Sequence, residues 1–210
     1  MTGSIVSPEV RARIRGMATP IAVGFGRLGF TPNALTLFGF AIALVAAGRA
    51  ALQDWVFAGV LLILGGVFDL FDGALARATG TASPLGAFMD SVFDRAGEGI
   101  VYVGIATGCV AAGFGAGAIL AAGALAAAFM VSYVRAKSES LGFTPGTGMA
   151  AIGVAPREVR IVILTLGLIL GGLSTSWLAG GLGLITILAT ITTIQRIFHV
   201  VRQSQTKENP

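Results

Sequence analysis

Long uninterrupted apolar runs constrain the fold of this chain more than any other feature of its sequence. Two of them read FAGVLLILGG (57–66) and GIVYVGIATGCVAAG (99–113). A helix that crosses a bilayer needs about 20 consecutive apolar residues, whereas a soluble helix repeats apolar residues only along one face. Charged residues make up 11% of the chain, against about 25% in a soluble domain. The sequence therefore predicts an all-α integral membrane protein.

Six transmembrane helices account for these runs and for the distribution of charge. The predicted spans are 34–52, 56–78, 85–112, 115–138, 160–174 and 177–201. With this count, all Lys and Arg except Arg49 fall on the side of the two termini, and the opposite loops GFGAG (113–117) and LSTSW (173–177) carry no charge. The positive-inside rule then predicts a multi-pass protein of the cell (inner) membrane with both termini cytoplasmic.

The segment before the first span mixes arginine with apolar residues, which predicts an amphipathic helix lying in the membrane interface. Ser7 followed by Pro8 is a favourable helix start, with serine as the cap and proline at the first helical position. The predicted organisation is a cytoplasmic N-terminal segment (1–33) containing this helix, a six-helix transmembrane catalytic domain (34–201) and a polar C-terminal tail (202–210).

Carboxylates cluster at the ends of the second and third spans, although charge is unfavourable inside a membrane. Asp69 and Asp72 are three residues apart and share a helix face, as do Asp90 and Asp94 at a spacing of four, with Glu98 one turn further on. The two spans are consecutive and antiparallel, so their acidic ends are expected to meet near the cytoplasmic third of the membrane.

Four carboxylates that converge in a low dielectric must protonate or bind cations. Oxygen ligands without histidine or cysteine favour Mg²⁺, Mn²⁺ or Ca²⁺, and two aspartates from each helix suffice to bridge two divalent ions. The alternative is that these acids are helix-end residues paired with Arg77 and Arg95. Intramembrane acids are usually functional, which favours the metal site.

Residues around the aspartates suit a nucleotide. Gly73 and Ala76 leave space beside the acidic face, and Arg77 carries a guanidinium group that can bind phosphate. The segment ATGTASPLG (78–86) supplies a turn, hydroxyl groups and backbone donors. These features predict metal-dependent phosphoryl chemistry on an amphiphilic pyrophosphate substrate.

The same residues resemble the signature of the CDP-alcohol phosphatidyltransferase family at eight fixed positions, Asp69-x2-Asp72-Gly73-x2-Ala76-Arg77-x8-Gly86-x3-Asp90-x3-Asp94. The stretch TPNALT (31–36), which opens the first span, also looks like this family. The resemblance implies a six-helix bundle, usually a homodimer, that is open to the cytoplasm. It implies transfer of a substituted phosphate from a CDP-linked lipid, typically CDP-diacylglycerol, to an alcohol with release of CMP, and no nucleic-acid partner.

The resemblance also implies roles for particular residues. Asp69, Asp72 and Asp90 would bind metal, expected to be two ions of Mg²⁺ or Mn²⁺, and Asp94 would be both the general base and part of the metal site. Contacts with the donor are expected from Pro32, Asn33, Ala34, Leu35, Gly73, Ala76, Arg77, Ser83 and Gly86.

Five cations near the predicted cytoplasmic ends of the later spans favour a phosphorylated acceptor: Arg135, Lys137, Arg157, Arg160 and Arg196. The pattern Tyr-x-Arg-Ala-Lys-x-Glu (133–139), the downstream arginine pair and the last span's Gln-Arg are similar to the phosphatidylinositol-phosphate synthase branch of the family. That branch uses CDP-diacylglycerol and inositol phosphate to form phosphatidylinositol phosphate and CMP.

Two alternatives remain open. The segment PREVR (156–160) keeps both arginines of the branch but not the glutamates beside them, so glycerol 3-phosphate, giving phosphatidylglycerophosphate, is the second candidate acceptor. A six-helix cation transporter is the alternative from another class, and it predicts acids near the bilayer midplane and charges on both sides.

Gly104 and Gly108 predict a close helix contact, within the subunit or between subunits.

Overall fold

A computed structural model describes residues 8–143, 149 and 152–208 of the chain. These residues form seven α-helices and no strand: α1 (Pro8–Arg27), α2 (Pro32–Ala51), α3 (Trp55–Thr79), α4 (Pro84–Ala111), α5 (Gly115–Ser140), α6 (Arg157–Gly171) and α7 (Thr175–Glu208). The predicted all-α class is therefore confirmed. Ser7, the predicted cap of α1, lies outside the described residues.

Each of the six predicted spans coincides with one helix from α2 to α7. The largest difference is at the C-terminal end, where α7 continues to Glu208, so the predicted polar tail is helical over 202–208. Within the described part of the chain, four helices are long and apolar enough to cross a membrane: α2, α3, α5 and α7. Charges in the first half of α4 interrupt its apolar length, and α6 has only 15 residues.

Side-chain caps fix the helix starts that flank the acidic cluster. The Thr31 hydroxyl accepts a hydrogen bond from the Ala34 backbone N–H at 3.2 Å, and Pro32 occupies the first turn of α2. At the start of α4, the Ser83 hydroxyl accepts from the Gly86 N–H at 3.0 Å. The connection from α3 to α4 begins at Gly80, whose φ of 66° is left-handed and suits glycine because it has no Cβ. This short turn brings the acidic ends of α3 and α4 together.

Close packing of α2 against α4 depends on glycine. A Cβ added at Gly104 would meet the backbone of Ala47, and one added at Gly108 would meet the backbone of Ala50 and the ring of Trp55. These two glycines therefore form a contact within the subunit, because only a residue without a side chain lets the two backbones approach this closely.

A smaller apolar cluster attaches α1 to the ends of α2 and α3 that carry the site. Ala18 and Ala22 of α1 pack with Leu35 of α2 and with Phe71 and Leu75 of α3. The first helix therefore lies against the two helices that supply Pro32 and Asp72, which keeps it close to the site.

Candidate active site

Asp72 is held between α3 and α2 by a short hydrogen bond. The Thr36 hydroxyl donates to Asp72 Oδ2 at 2.6 Å, and both side chains are buried. A hydroxyl–carboxylate bond of this length is charge-assisted and stronger than a bond between neutral groups. The bond compensates in part for removing the carboxylate from water.

Asp69 and Asp94 converge on a single cationic atom. Arg157 Nη2 lies 2.9 Å from Asp69 Oδ2 and 3.0 Å from Asp94 Oδ1. Asp94 also accepts from Arg95 Nη1 at 3.0 Å. Two guanidinium groups therefore stabilise the ionised form of Asp94, and one of them is shared with the first aspartate of α3.

Asp69 and Asp90 each lie within electrostatic range of both Asp72 and Asp94. Asp72 is repelled by Asp69 and Asp90, and Asp94 is repelled by the same two carboxylates. Among the described residues, no three Asp, Glu, His or Cys side chains stand close enough together to form a ready-made metal cluster. The carboxylates are instead held by Arg157, Arg95 and Thr36. The four predicted ligands are thus gathered in one region but not arranged around one point.

The first of two cavities at this end of the bundle lies between the starts of α2 and α4 and the end of α3. Its volume is about 420 Å³, and Asp72 and Asp90 face it. Seven of the nine residues predicted to contact the donor line it: Pro32, Asn33, Gly73, Ala76, Arg77, Ser83 and Gly86. Ala34 does not line it, and Leu35 is completely buried in the cluster beneath α1. We call this space the donor cavity.

Arg77 lies at the entrance of the donor cavity and is exposed. Its guanidinium group covers Gly73, since a Cβ added at Gly73 would lie 3.2 Å from Arg77 Nη1. No described carboxylate forms a salt bridge with Arg77. Of the alternative in which Arg77 and Arg95 neutralise the helix-end acids, only the pairing of Arg95 with Asp94 is found among the described residues. Arg77 is left available for an anionic ligand.

The second cavity has a similar volume of about 420 Å³ and contains Asp69, Asp94 and Arg157 in its wall. Its deeper part is lined by small and apolar residues of α2, α3 and α4, including Ala43, Leu62 and Gly97. Thr36 lines this cavity as well as the donor cavity. We call the second space the acceptor cavity, and Thr36 marks the boundary between the two.

The five cations predicted to bind the acceptor are placed differently from one another. Arg157 lines the acceptor cavity, and its Nε is buried without a hydrogen-bond partner among the described residues. Arg160 is only 1% exposed. Its guanidinium group donates to both oxygens of Glu98 and to the Ala155 carbonyl. The donors of Arg160 are therefore engaged within the protein in this structure.

Arg196 is also buried, and it donates to the backbone carbonyls of Val131 and Ile152 at 2.7 and 3.0 Å. It lies within electrostatic range of Arg95, Arg135 and Arg160, each of which has a carboxylate partner of its own. Arg135 pairs with Glu139 four residues along α5, and Lys137 is exposed. Of the five cations, Arg157 alone is part of the acceptor-cavity wall.

Three relationships at the site were not anticipated from the sequence. They are the bond from Thr36 to Asp72, the ion pair of Arg160 with Glu98, and the contact of Arg95 with Ser132 at 3.3 Å. For the bond from Thr36 to Asp72 the sequence contained a partial signal. Thr36 stands one turn after Pro32 on α2, so the two residues share a helix face. The other two join distant segments and leave no local pattern.

The fold and the site together define a helical membrane enzyme with a group of aspartates at its centre. The chain belongs to the CDP-alcohol phosphatidyltransferase family, whose sequence profile matches residues 30–200. That range contains every described residue of the two cavities.

Several named relatives share the words inositol phosphate in their names. The chain is 34% identical over 195 residues to the archaetidylinositol phosphate synthase of Pyrococcus horikoshii, covering 93% of this chain and 96% of that protein. It is 31% identical over 204 residues to the phosphatidylinositol phosphate synthase of Mycobacteroides abscessus, covering 95% and 89%. Both names contain inositol phosphate, and they differ in the lipid.

Solved structures of the phosphatidylinositol phosphate synthase PgsA1 from Mycobacterium tuberculosis share the fold. The structure with CDP-DAG bound superposes with a TM-score of 0.78 at 27% identity, covering 87% of this chain and 92% of that one. A second structure, in complex with manganese and citrate, also gives a TM-score of 0.78, at 26% identity and 88% coverage of each chain.

Proposed function

We propose that this enzyme transfers a phosphatidyl group from CDP-diacylglycerol to a hydroxyl of inositol phosphate, forming phosphatidylinositol phosphate and CMP. The observation that carries the proposal is the arrangement of two adjoining cavities around the four aspartates. One is lined by Arg77 and by the capped N-terminal turns of α2 and α4, and the other is lined by Arg157. Two substrates could therefore approach the group of aspartates from two sides, one at Asp72 and Asp90 and the other at Asp69 and Asp94.

The donor cavity suits the nucleotide end of the donor. Arg77 forms no salt bridge with a described carboxylate and can bind a phosphate oxygen. Gly73 and Gly86 leave room for a ligand next to the backbone. A Cβ at Gly86 would lie 3.2 Å from the Ser83 hydroxyl and 3.5 Å from Asn33 Oδ1. A side chain there would thus narrow the space between two predicted donor contacts. The exposed apolar residues of the neighbouring helices suit the lipid part of the donor.

The residues present fit a divalent cation. Every candidate ligand is a carboxylate oxygen, which is the donor that Mg²⁺ and Mn²⁺ prefer. Two of these carboxylates, from Asp69 and Asp94, already converge on one positive charge. We propose that Asp69, Asp72, Asp90 and Asp94 hold two Mg²⁺ or Mn²⁺ ions. When bound, divalent ions of this kind neutralise charge on the pyrophosphate and on the departing CMP.

Asp94 is the proposed general base. Its carboxylate lines the acceptor cavity and contacts Arg157 and Arg95, whose positive charges favour the ionised form that can accept a proton. In the reaction the acceptor hydroxyl oxygen forms a bond to the lipid-linked phosphorus, and the bond from that phosphorus to the CMP oxygen breaks. The hydroxyl proton passes to a carboxylate oxygen of Asp94, and CMP leaves with the bonding electron pair.

Inositol phosphate is the preferred acceptor for two reasons. Arg157 provides a cation in the acceptor cavity, and its Nε has no hydrogen-bond partner among the described residues. The named relatives differ in lipid but share inositol phosphate. Family membership disfavours the transporter alternative. Glycerol 3-phosphate stays as the competing acceptor, since it also carries a phosphate group and a free hydroxyl.

The proposal includes a membrane arrangement. Helices α2 to α7 would cross the cell (inner) membrane with both termini and the two cavities on the cytoplasmic side, and α1 would lie in the interface. The distribution of Lys and Arg supports this orientation. A homodimer, expected from the resemblance to the family, is part of the proposal as well.

The test is an acceptor panel with purified protein. CDP-diacylglycerol and Mn²⁺ or Mg²⁺ are supplied with inositol phosphate, glycerol 3-phosphate, inositol or serine, and CMP and the lipid product are quantified. We expect CMP release only with inositol phosphate, and none after chelation of the metal. A parallel reaction with a CDP-archaeol donor tests the lipid, because the archaeal relatives are named for an archaetidyl product.

Two outcomes would contradict the proposal in different ways. Activity with glycerol 3-phosphate but not with inositol phosphate would replace the acceptor and leave the reaction class intact. Absence of CMP with every acceptor and either donor would exclude the reaction itself.

A further inference from the structure

We propose that Thr36 is a positioning residue that orients the Asp72 carboxylate for metal binding. This inference rests on the proposed function, because it requires Asp72 to be a metal ligand. It assigns to Thr36 a role distinct from the donor contacts expected from the residues immediately before it in the chain.

The geometry of the bond is specific. Thr36 Oγ1 lies 2.6 Å from Asp72 Oδ2, and the side chains belong to different helices, 36 residues apart in sequence. Thr36 is 7% exposed and Asp72 is 4% exposed, so water competes little for either group. One carboxylate oxygen is therefore fixed by the hydroxyl, and the other can face the donor cavity, of which Asp72 forms part of the wall.

Threonine is suited to this task because its side chain is stiff. Two heavy atoms on Cβ restrict the χ1 angle in a helix, so the hydroxyl does not have to be ordered when a ligand binds. The same hydroxyl lies 3.2 Å from the Pro32 carbonyl one turn earlier on α2. A hydroxyl has one proton, and the shorter contact with the charged carboxylate takes it preferentially.

The position of Thr36 adds a second reason. Among the described residues Thr36 is the one that lines both cavities, with Asp72 and Asp90 on one side and Asp69 and Asp94 on the other. Rotation of the Asp72 carboxylate would move its oxygens relative to both groups. A bond that stops this rotation keeps the Asp72 carboxylate in a fixed orientation relative to the other aspartates. Outer hydrogen-bond partners do the same in many metal sites.

The experiment compares Thr36→Val with Thr36→Ser and with wild type. Valine has nearly the same shape as threonine but lacks the hydroxyl, whereas serine keeps the hydroxyl and loses the methyl group. Mn²⁺ binding to the detergent-solubilised enzyme is measured by electron paramagnetic resonance without either substrate. We expect Thr36→Val to weaken Mn²⁺ binding by about 10- to 100-fold, the usual effect of removing such a partner, and Thr36→Ser to restore most of the affinity.

Thr193→Val is the matched control. Thr193 is also buried, at 8% exposure, but its hydroxyl donates only to the Ala189 carbonyl of its own helix. This variant should bind Mn²⁺ with the wild-type affinity. Thermal unfolding of all variants is recorded in parallel, and if the valine protein does not fold, Thr36→Ala replaces it in the same comparison with Thr36→Ser.

The possible results distinguish failure of the role proposed for Thr36 from failure of the proposed function. Wild-type Mn²⁺ affinity in Thr36→Val, or equal losses in the valine and serine variants, would overturn the role of the hydroxyl while leaving the enzyme assignment intact. A wild-type protein that neither binds Mn²⁺ nor releases CMP would instead remove the proposed function. A lower Mn²⁺ affinity in Thr36→Val, together with near wild-type affinity in Thr36→Ser, would support the inference.

Discussion

The guanidinium group of Arg160 donates to both carboxylate oxygens of Glu98, at 2.9 and 2.8 Å. The pair joins the middle of α4 to the first turn of α6, and the two side chains are only 1% and 2% exposed. Because Arg157 precedes Arg160 by less than one turn, the pair also determines where Arg157 meets Asp69 and Asp94. The buried ion pair of Arg160 with Glu98 thus positions Arg157 in the wall of the acceptor cavity.

The first prediction concerns the stability of this pair. Glu98→Gln should lower the free energy of unfolding by about 3–5 kcal/mol, because it leaves a buried guanidinium group without its counter-ion. Unfolding of the purified protein in detergent measures the loss. Replacing both partners, in Glu98→Leu/Arg160→Met, should recover much of it.

The control for this prediction is the exposed pair of Arg135 with Glu139. Glu139→Gln should change the free energy of unfolding by less than about 1 kcal/mol, since water screens an exposed ion pair. Similar losses in Glu98→Gln and Glu139→Gln would show that burial of the Arg160 pair has no special effect.

The second prediction concerns proton transfer at Asp94. Asp94→Asn should reduce turnover by about 10²- to 10⁴-fold, because the amide cannot accept the proton of the acceptor hydroxyl. Binding of CDP, measured by calorimetry, should change much less, since Asp94 does not line the donor cavity. Asp54→Asn, at the distant start of α3, is the control and should retain wild-type turnover.

Retention of wild-type turnover by Asp94→Asn would exclude Asp94 as the base. A large loss of CDP binding in the same variant would indicate instead that Asp94 acts mainly in assembling the donor site.

The third prediction concerns the acceptor. Arg157→Gln should raise the KM for inositol phosphate by about 10- to 100-fold, the effect of losing a hydrogen bond from a charged donor. The KM for the CDP-linked donor should change little, because Arg157 lines only the acceptor cavity. Arg27→Gln, an exposed change at the end of α1, controls for the loss of one positive charge. Equal increases in both KM values would place Arg157 outside a dedicated acceptor site.

The fourth prediction concerns competition between Arg157 and metal. In the structure Arg157 occupies oxygens of Asp69 and Asp94 that the proposed metal site also needs. Arg157→Gln should therefore bind Mn²⁺ more tightly than wild type when no substrate is present. By linkage, inositol phosphate should bind wild type more tightly in the presence of Mn²⁺. Unchanged Mn²⁺ affinity in the variant would mean that the arginine and the metal use different oxygens.

The fifth prediction concerns the contact of α2 with α4. Gly104→Ala should destabilise the protein by about 1–3 kcal/mol, because the new methyl group would collide with the Ala47 backbone. Gly48→Ala is the matched control, since a Cβ there meets nothing within 4 Å. Unfolding in detergent distinguishes them, and equal behaviour of the two variants would mean that the helices can separate without loss.

Several features follow from local sequence alone. The helices from α2 to α7 were predicted within a few residues at most ends, because apolar length and the caps at Thr31 and Ser83 act over one or two turns. The aspartates were predicted to lie together because spacings of three and four define a helix face, and α3 and α4 are joined by a short turn. Seven of the nine donor residues, which were predicted from the resemblance to the family, line one cavity.

The partners of the buried charges were decided only by the tertiary structure. Thr36 and Asp72 are 36 residues apart, Glu98 and Arg160 are 62 apart, and Asp69 and Arg157 are 88 apart. Helical periodicity specifies the face on which a side chain lies, but not which neighbouring helix packs against that face. In a low-dielectric interior, a buried arginine must also find an anion or a carbonyl. The packing of α4, α5, α6 and α7 therefore engaged Arg160 and Arg196 internally and left Arg157 in the wall of the acceptor cavity.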